Sequence, residues 1–378
     1  MRRLLSFIAL LAAALPASAQ PFAKAKLAWT LPWDADWVIA VQFVGNDRVA
    51  AGNNLGDVLV WNLPAATTEK APLPSRHLKG HTNAINRLTI TPDQRRLLSA
   101  SNDHTIRVWD MTADPAEMGT VTLNERTREE AIEKKRKVPA AIEAKVKLQK
   151  AEKTLETKEW VLGISLTRDG ATLLSGDDKG DVIVWDLAAG KERKRWTAKG
   201  WAFGLAIDPE GKSAVVAERF PVVFDSSRHS AVKLWDAAKG EMKADLSKDF
   251  KGQIISCAAY SPDGKWLALG RGGEIDGTNG KITLLEPATG KKIRELSPGH
   301  LNGATDVAFH PDGKHIFSTG RDTVVKIWNL EDGKHVRDLG TPRGGQFKDW
   351  IHAISISPDG RRLAAADMAG QVQVWSLE

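Results

Sequence analysis

A tryptophan followed by aspartate, or by a close substitute, recurs along this 378-residue chain. The six pairs are Trp61-Asn62, Trp109-Asp110, Trp185-Asp186, Trp235-Asp236, Trp328-Asn329 and Trp375-Ser376. Leu285-Glu286 fills the one gap, because KITLLEPATG aligns with VKLWDAAKG, which makes seven units. Five intervals are 43 to 50 residues long and one is 76. This regular spacing predicts a repeat architecture with one supersecondary element per unit.

Each unit carries a turn signal upstream of its tryptophan position. The clearest are Pro262-Asp263-Gly264, Pro311-Asp312-Gly313 and Pro358-Asp359-Gly360. Proline presets the first turn dihedral, aspartate bonds its own backbone and glycine accepts a positive φ. Short apolar or alternating segments such as INRLTI and RRLLSAS flank these turns. The pattern predicts short antiparallel strands.

The order Gly-His, Pro-Asp-Gly, Trp-Asp resembles the WD40 repeat, and the resemblance covers nearly the whole chain from residue 24 to residue 378. It implies an all-β fold: a seven-bladed β-propeller in which each blade has four strands, a to d, from the central channel outward. The last unit ends at Trp375–Glu378 and lacks a fourth strand, whereas Ala25–Leu31 precedes the first unit. Family precedent implies that this N-terminal strand closes the ring, which removes the exposed edges of an open arc.

The resemblance also implies a structural hydrogen-bonded set of histidine, serine or threonine, aspartate and tryptophan in a blade. In the second unit these are His81, Ser101, Asp103 and Trp109; in the sixth they are His300, Asp322 and Trp328, with Gly320 at the serine position. A buried indole N–H and a buried imidazole need such partners. The other units lack the full set, so packing is expected to hold those blades.

The interval of 76 residues contains a charged insert, residues 124–159, which we expect between strand d of blade two and strand a of blade three. Thr127 and Glu130 fit a capping box, and Pro139 divides the segment. Beyond it, a helical stripe is predicted over Ala144, Leu148, Ala151 and Leu155. We expect two helices, the second amphipathic. They could pack on the propeller or form a partner-binding arm, and disorder is the third alternative.

Two b–c connections are lengthened, by 9 residues in blade four and by 6 in blade five. In antiparallel blades the b–c and d–a connections emerge on one face, so both loops and the insert are expected there. Four units also place tryptophan where strand a begins, at the mouth of the channel. The hypothetical partner-binding residues are Trp37, Trp160, Trp201, Trp350, Phe220, Arg271 and Glu274. Tryptophan is common at interface hot spots, although these rings could instead cap the channel.

The N-terminus predicts export. Residues 1–19, MRRLLSFIALLAAALPASA, have the charge, apolar run and small-residue end of a secretory signal peptide. The alternative, a membrane anchor, is disfavoured because the run is short. We expect a periplasmic or extracellular mature chain without a membrane span, monomeric by itself. Its net charge of +6 before cleavage is too dispersed to indicate nucleic-acid binding.

No nucleophile, metal or phosphate-binding motif is recognisable in the sequence. The single cysteine, Cys257, is expected to be a buried thiol, and His310 and His315 are expected to be exposed beside their turn. The oxygen-bearing side chains around Glu274 do not have the spacing of an EF-hand calcium loop. We therefore expect no cofactor or metal and a noncatalytic scaffold that binds an unidentified protein partner. The alternative is a propeller enzyme or small-ligand binder that uses the channel mouth.

Overall fold

The computed structural model describes residues 21–35, 37–220, 230–272, 280–342 and 350–378, and within them the chain forms thirty β-strands and one α-helix. The leader predicted over residues 1–19 lies outside these ranges, as do Glu274 and most of both lengthened b–c loops.

Seven antiparallel blades account for all but two of the strands. Four blades consist of four consecutive strands, a to d in chain order, without an added or borrowed strand. Blade three is β12 (Val161–Leu166), β13 (Thr172–Asp177), β14 (Asp181–Asp186) and β15 (Lys191–Thr197). Blade four is β16 (Trp201–Ile207), β17 (Ser213–Arg219), β18 (Ser230–Asp236) and β19 (Glu241–Asp245). Blade five is β20 (Ile254–Tyr260), β21 (Leu267–Gly272), β22 (Gly280–Leu285) and β23 (Lys292–His300). Blade six is β24 (Ala304–Phe309), β25 (His315–Gly320), β26 (Val325–Asn329) and β27 (His335–Leu339).

The other three blades borrow or add strands. Blade seven is β28 (Ile351–Ile356), β29 (Arg362–Asp367), β30 (Val372–Ser376) and β1 (Lys26–Leu31). Blade two is β6 (Ile85–Ile90), β7 (Arg96–Ser101), β8 (Thr105–Asp110) and β11 (Lys153–Glu156). Blade one is β2 (Val38–Val44), β3 (Arg48–Asn53), β4 (Val58–Asn62) and β5 (Pro74–Leu78), and a hairpin of β10 (Glu143–Gln149) and β9 (Met118–Thr122) extends it outward.

The predicted closure is confirmed. Strand β1 pairs antiparallel with β30, from Lys26 opposite Ser376 to Leu31 opposite Val372. The N-terminal strand is thus the outermost strand of the last blade, and the two ends of the described chain lie in one sheet.

Burial follows the position of a strand in its blade. Strand b lies inside the sheet and between two other blades, so β7 and β25 are almost wholly buried and read RLLSAS and HIFSTG. Strand d faces solvent, so β15 reads KERKRWT and is mostly exposed until Trp196. This gradient explains why the middle of each unit carries the strongest apolar signal.

Each of the seven interfaces between neighbouring blades has its own hydrophobic cluster. The residue at each tryptophan position packs against the preceding blade. Trp109, for example, lies with Val60 and Leu78 of blade one, and Leu285 lies with Leu234 of blade four. The repeat interval therefore reflects one large side chain that seals each interface, and leucine fulfils this role in blade five.

The expected position and structure of the insert are wrong in part. Strand β11, the fourth strand of blade two, begins at Lys153, so the insert lies between strands c and d of that blade. The insert leaves the ring on the face opposite the b–c and d–a connections. Its helical part nevertheless contacts a d–a connection, because Arg126 and the Thr127 backbone N–H bind Asp34 between blades seven and one.

Only the first half of the insert is helical, over α1 (Glu125–Glu133). The predicted second helix is instead β10 and β11. The apolar residues Ala144 and Val146 alternate with lysines and are buried in the cluster between blades seven and one. Tertiary pairing with β5 and β9 overrides the helical propensity of this segment.

Candidate interaction surface

The mouth face, defined as the face that bears the b–c and d–a connections, is where each strand a begins. Every strand a has a β-bulge after its first paired residues, as between Val161 and Gly163. The tryptophans at this end of strand a occupy one register, because each directly precedes the residue that pairs last before the bulge. They are Trp37, Trp160, Trp201 and Trp350. The structure therefore brings the four rings to equivalent places around the channel mouth.

These four tryptophans differ in accessibility. Trp37 and Trp160 are 42% and 45% exposed, whereas Trp201 and Trp350 are half-buried. The guanidinium carbon of Arg321 lies 4.3 Å from the centroid of the Trp350 ring, a cation–π distance. The mouth face thus combines two widely accessible rings with two that pack against their surroundings.

Arginines stand at the ends of strand b in three consecutive blades: Arg219 in blade four, Arg271 in blade five and Arg321 just after β25 in blade six. Arg219 pairs with Trp201 in register and lies 5.6 Å from the Phe203 ring. Arg271 is half-buried opposite Ile255. The sequence predicts a binding role for Arg271 alone, because equivalent strand ends become comparable only once the register is known.

Phe220 is half-buried beside Gly200, where an added Cβ would lie 3.1 Å from its ring. It follows Arg219 at the start of the lengthened b–c loop of blade four. Glu274 lies outside the described residues. Of the seven partner-binding residues predicted, six therefore lie in the described part of the mouth face.

An ion pair crosses the channel below the tryptophan positions. Arg87 of blade two donates from Nη1 to Asp306 of blade six over 2.9 Å, and Asp306 also accepts from the Ile354 backbone N–H of blade seven. A cavity of about 60 Å³ adjoins this pair, and its walls include Phe203, Thr305 and His352. Pockets for drug-sized ligands measure about 300 Å³ or more, so this part of the channel is too small for one.

The hydrogen-bonded set of blade two is present with one correction: its serine is Ser99, not Ser101. His81 Nδ1 donates to Asp103 over 2.8 Å, Ser99 Oγ donates to His81 Nε2 over 2.6 Å, and Trp109 Nε1 donates to Ser99 Oγ over 2.9 Å. Ser101 shares the strand face of Ser99, two residues along, and donates to the Asn83 carbonyl instead.

Blade six shows the same offset. Its serine is Ser318, which lies 2.6 Å from His300 Nε2, while His300 Nδ1 contacts Asp322 over 2.8 Å. Gly320 therefore does not replace the serine. It occupies the register position of Ser101, where a Cβ would lie 2.5 Å from the His300 ring. Trp328 Nε1 has no hydrogen-bond partner among the described residues.

Blade four has a different set of buried polar contacts, which the sequence did not indicate. Glu218 is fully buried, accepts from the backbone N–H groups of Lys199 and Gly200, and pairs with Lys233 over 2.5 Å. These N–H groups belong to the d–a connection, as does that of Thr82, which binds Asp103 in blade two. A lysine–glutamate pair thus anchors the connection without a histidine.

The prediction that His310 and His315 are exposed is wrong. Both are buried, and the Phe22 ring lies 5.2 and 5.0 Å from their rings. His310 Nε2 contacts the Gly360 carbonyl over 2.9 Å, which links blade six to blade seven. Residues just before β1 cover this turn, a contact between chain ends that local sequence could not indicate.

Cys257 is buried, as expected, and burial raises the pKa of its thiol to about 12. Across the described ranges, no cluster of three or more histidine, cysteine or acidic side chains could hold a metal ion. In those ranges no helix is long and apolar enough to span a bilayer.

A family model described as "WD domain, G-beta repeat" matches residues 73–110, 149–186, 290–329 and 338–376. Each match ends at or close to a strand c that carries the tryptophan position. Together with the seven-bladed geometry, these matches define the class of protein: a seven-bladed β-propeller with WD40 repeats in the matched segments.

Three relatives illustrate the breadth of this similarity. The chain is 27% identical over 227 residues to autophagy-related protein 16 of Arabidopsis thaliana, covering 57% of the chain and 39% of that protein. It is 26% identical over 342 residues to apoptotic protease-activating factor 1 of Rattus norvegicus, covering 88% and 22%. It is 23% identical over 352 residues to nuclear distribution protein PAC1-1 of Uncinocarpus reesii, covering 85% and 64%. The chain thus spans less than two thirds of each relative's own length.

Proposed function

We propose that this protein is a noncatalytic interaction scaffold that binds a segment of a protein partner across its mouth face. Export is part of the proposal and rests on the signal-like segment over residues 1–19. A periplasmic or extracellular partner follows from it.

The observation that carries the proposal is the exposure of Trp37 and Trp160 at equivalent register positions on one face. Tryptophan brings a large contact area at a low cost in conformational entropy, and it is enriched at interface hot spots. Two such rings at the start of innermost strands are fixed to a rigid scaffold. A partner that covers both would find them already oriented.

The arginine-bearing strand ends extend this surface. Arg219 and Arg271 lie at the mouth-face ends of strand b in blades four and five, where the lengthened b–c loops begin. Arginine, like tryptophan, is enriched at hot spots. The insert leaves the ring on the opposite face, and its helix returns to contact Asp34 in the d–a connection that precedes blade one.

A channel-mouth enzyme or small-ligand binder is the alternative. Arg87, Asp306 and His352 do converge in the channel, but Asp306 is 1% exposed and is already bound by Arg87 and a backbone N–H. The cavity of about 60 Å³ beside His352 leaves little space for a substrate. A larger cavity of about 400 Å³, toward the opposite end of the channel, shares only Arg87 with these three residues. These features favour a structural role for the ion pair.

Site-specific photocrosslinking tests the proposal. A photoreactive amino acid replaces Trp160 or Trp37, and the matched control replaces Lys265, which is exposed in the a–b turn of blade five on the opposite face. The variants are expressed in the native compartment, irradiated, and analysed for crosslinked proteins by mass spectrometry.

We expect the two mouth-face probes to capture the same protein and the Lys265 probe not to capture it. Trp160→Ala should then weaken binding of that protein by about 2 kcal/mol, or about 30-fold. Capture from Lys265 alone, or unchanged affinity of both Trp37→Ala and Trp160→Ala, would contradict the proposal.

A further inference from the structure

The tip of the insert, residues 132–142, contains none of the residues that we propose bind a protein partner. It begins in the last turn of α1 and runs to the start of β10. Four consecutive cations, Lys134 to Lys137, are all exposed. With Glu133 they give residues 132–142 four positive charges and one negative charge, a net charge of +3.

The helix end fixes this basic run. Arg136 N–H donates to the Ala131 carbonyl and Lys135 N–H donates to the Ile132 carbonyl, the two bonds of a Schellman motif. Lys135 adopts the left-handed conformation that the motif requires, with φ of +51°. The run therefore turns sharply at the C-terminal end of α1, where the helix dipole favours positive charge.

The rest of the tip is tied back to the beginning of the helix. Asn124 donates from Nδ2 to the Ala140 carbonyl over 2.9 Å and accepts from the Ile142 backbone N–H over 2.9 Å. Arg128 donates to the Pro139 carbonyl. These bonds make residues 132–142 a closed loop with a defined shape.

Aliphatic side chains surround the cations and face solvent. Ile132 is 62% exposed, Ile142 is 51% exposed and Val138 is 38% exposed. These three exposed side chains are not among the buried apolar residues of the insert, which include Ala131, Ala144 and Val146. The patch thus offers charge and apolar area together.

We propose that residues 132–142 dock on the surface of an anionic lipid bilayer. Clustered lysines and arginines are attracted to anionic headgroups, and adjacent aliphatic side chains enter the headgroup boundary. A nucleic acid would match the charge but would leave the aliphatic groups unused, and the tip has no aromatic side chain on which a base could stack. Combined charge and aliphatic exposure therefore favour lipid.

Flotation of the mature chain with vesicles tests this inference. Vesicles of phosphatidylcholine with about 30% phosphatidylglycerol are compared with pure phosphatidylcholine at low and physiological salt. The charge variant is Lys135→Gln, Arg136→Gln and Lys137→Gln. Its matched control changes three exposed lysines on blades three and four and before blade five, Lys191→Gln, Lys239→Gln and Lys251→Gln. Thermal unfolding establishes that all variants fold.

We expect binding to the anionic vesicles only, a loss of about 100-fold in the partition coefficient of the charge variant, and less than a twofold change in the control. The pair Ile132→Ser and Ile142→Ser should lose about tenfold, because two apolar groups no longer enter the boundary. Equal binding by the charge variant and its control, or no binding to anionic vesicles, would overturn the inference. Tighter binding to duplex DNA or polyglutamate, unaffected by the isoleucine changes, would overturn it in favour of a different partner class.

Discussion

A single hydroxyl group stabilises the mouth end of blade two. Ser99 Oγ donates to His81 and accepts from Trp109, and all three side chains are buried. Ser175 holds the equivalent place in blade three, where Trp185 donates to it over 2.8 Å, but no histidine joins that network. The two serines therefore differ in how many buried polar groups depend on them.

Their replacement should reveal this difference. Ser99→Ala leaves both the imidazole and the indole without a partner and is expected to lower the free energy of unfolding by about 3 kcal/mol. Ser175→Ala leaves one indole without a partner and should lower the free energy of unfolding by about 1.5 kcal/mol. Urea denaturation of both variants measures the two losses. Equal losses would mean that the histidine bond contributes nothing.

The protonation of His81 should make the fold sensitive to acid. Burial lowers the pKa of His81, although Asp103 opposes the shift. Burial also opposes the charged form of Asp103, yet hydrogen bonds from His81 and Thr105 hold the pKa of that carboxyl well below its usual range. The unfolded chain thus binds protons more readily at both residues, and stability rises with pH.

The two contributions belong to different pH windows. That of His81 is complete above its unfolded pKa of about 6.5 and is lost as the pH falls below it, and that of Asp103 is lost only in stronger acid. We expect Tm to fall between pH 7.5 and pH 5.5, and to fall less in His81→Gln, which is itself less stable at pH 7.5. Burial of His352 acts in the same direction, so some dependence should remain. A slope unchanged by His81→Gln would contradict this account.

The sequence predicted the histidine, aspartate and tryptophan of this network but misplaced its serine. Ser99 and Ser101 lie on the same face of one strand, so the alternation of side chains cannot distinguish them. The two serines can be distinguished only when the position of the His81 ring along β7 is known. The Glu218–Lys233 pair was missed for a related reason, because a charged pair on two adjacent strands looks solvent-exposed until the flanking blades bury it.

At the scale of elements, the insert shows where local helix propensity decides the structure and where tertiary pairing overrides it. Its first half contains the one predicted helix that forms, α1, which is followed by the four cations of the insert tip. In its second half, the spacing of Ala144, Leu148, Ala151 and Leu155 fits a helix, but the segment forms strands. The edge of β5 offers backbone partners that the sequence of the insert alone cannot disclose.

A charge at Val146 distinguishes the two structures. In β10 this side chain is fully buried, whereas on the predicted helix it would lie opposite the apolar stripe. Val146→Asp should therefore lower the free energy of unfolding by about 3 kcal/mol, because a carboxylate would enter the cluster between blades seven and one. The matched control Lys145→Asp, on the exposed face of the same strand, should change it by about 0.5 kcal/mol or less. Similar small effects for both would favour a solvent-facing helix.

At the scale of the whole molecule, the repeat units determine the fold and their irregularities determine its surfaces. Seven turn-and-tryptophan units were sufficient to predict seven blades, because each tryptophan position seals one interface. The contacts that join distant parts of the chain were not predictable in detail. Examples are the Arg87–Asp306 pair across the channel and the cover that Phe22 forms over the His310 turn.

The ring is closed by β1, and the positions of the mouth face and the channel both require this closure. Thr30 and Gln373 are directly opposed in the β1–β30 pair. Opposed Cα atoms in an antiparallel pair lie about 4.5–5.5 Å apart, within the range that a disulfide spans. The native thiol, Cys257, is buried and should not compete.

The most direct measurement is therefore oxidation of the double variant Thr30→Cys, Gln373→Cys, followed by peptide mapping. We expect one intrachain disulfide between these residues, formed in the folded monomer and absent from a control that pairs Thr30→Cys with Lys191→Cys in blade three. Free thiols at both positions under oxidising conditions, or crosslinks only between molecules, would show that the N-terminal strand does not complete blade seven.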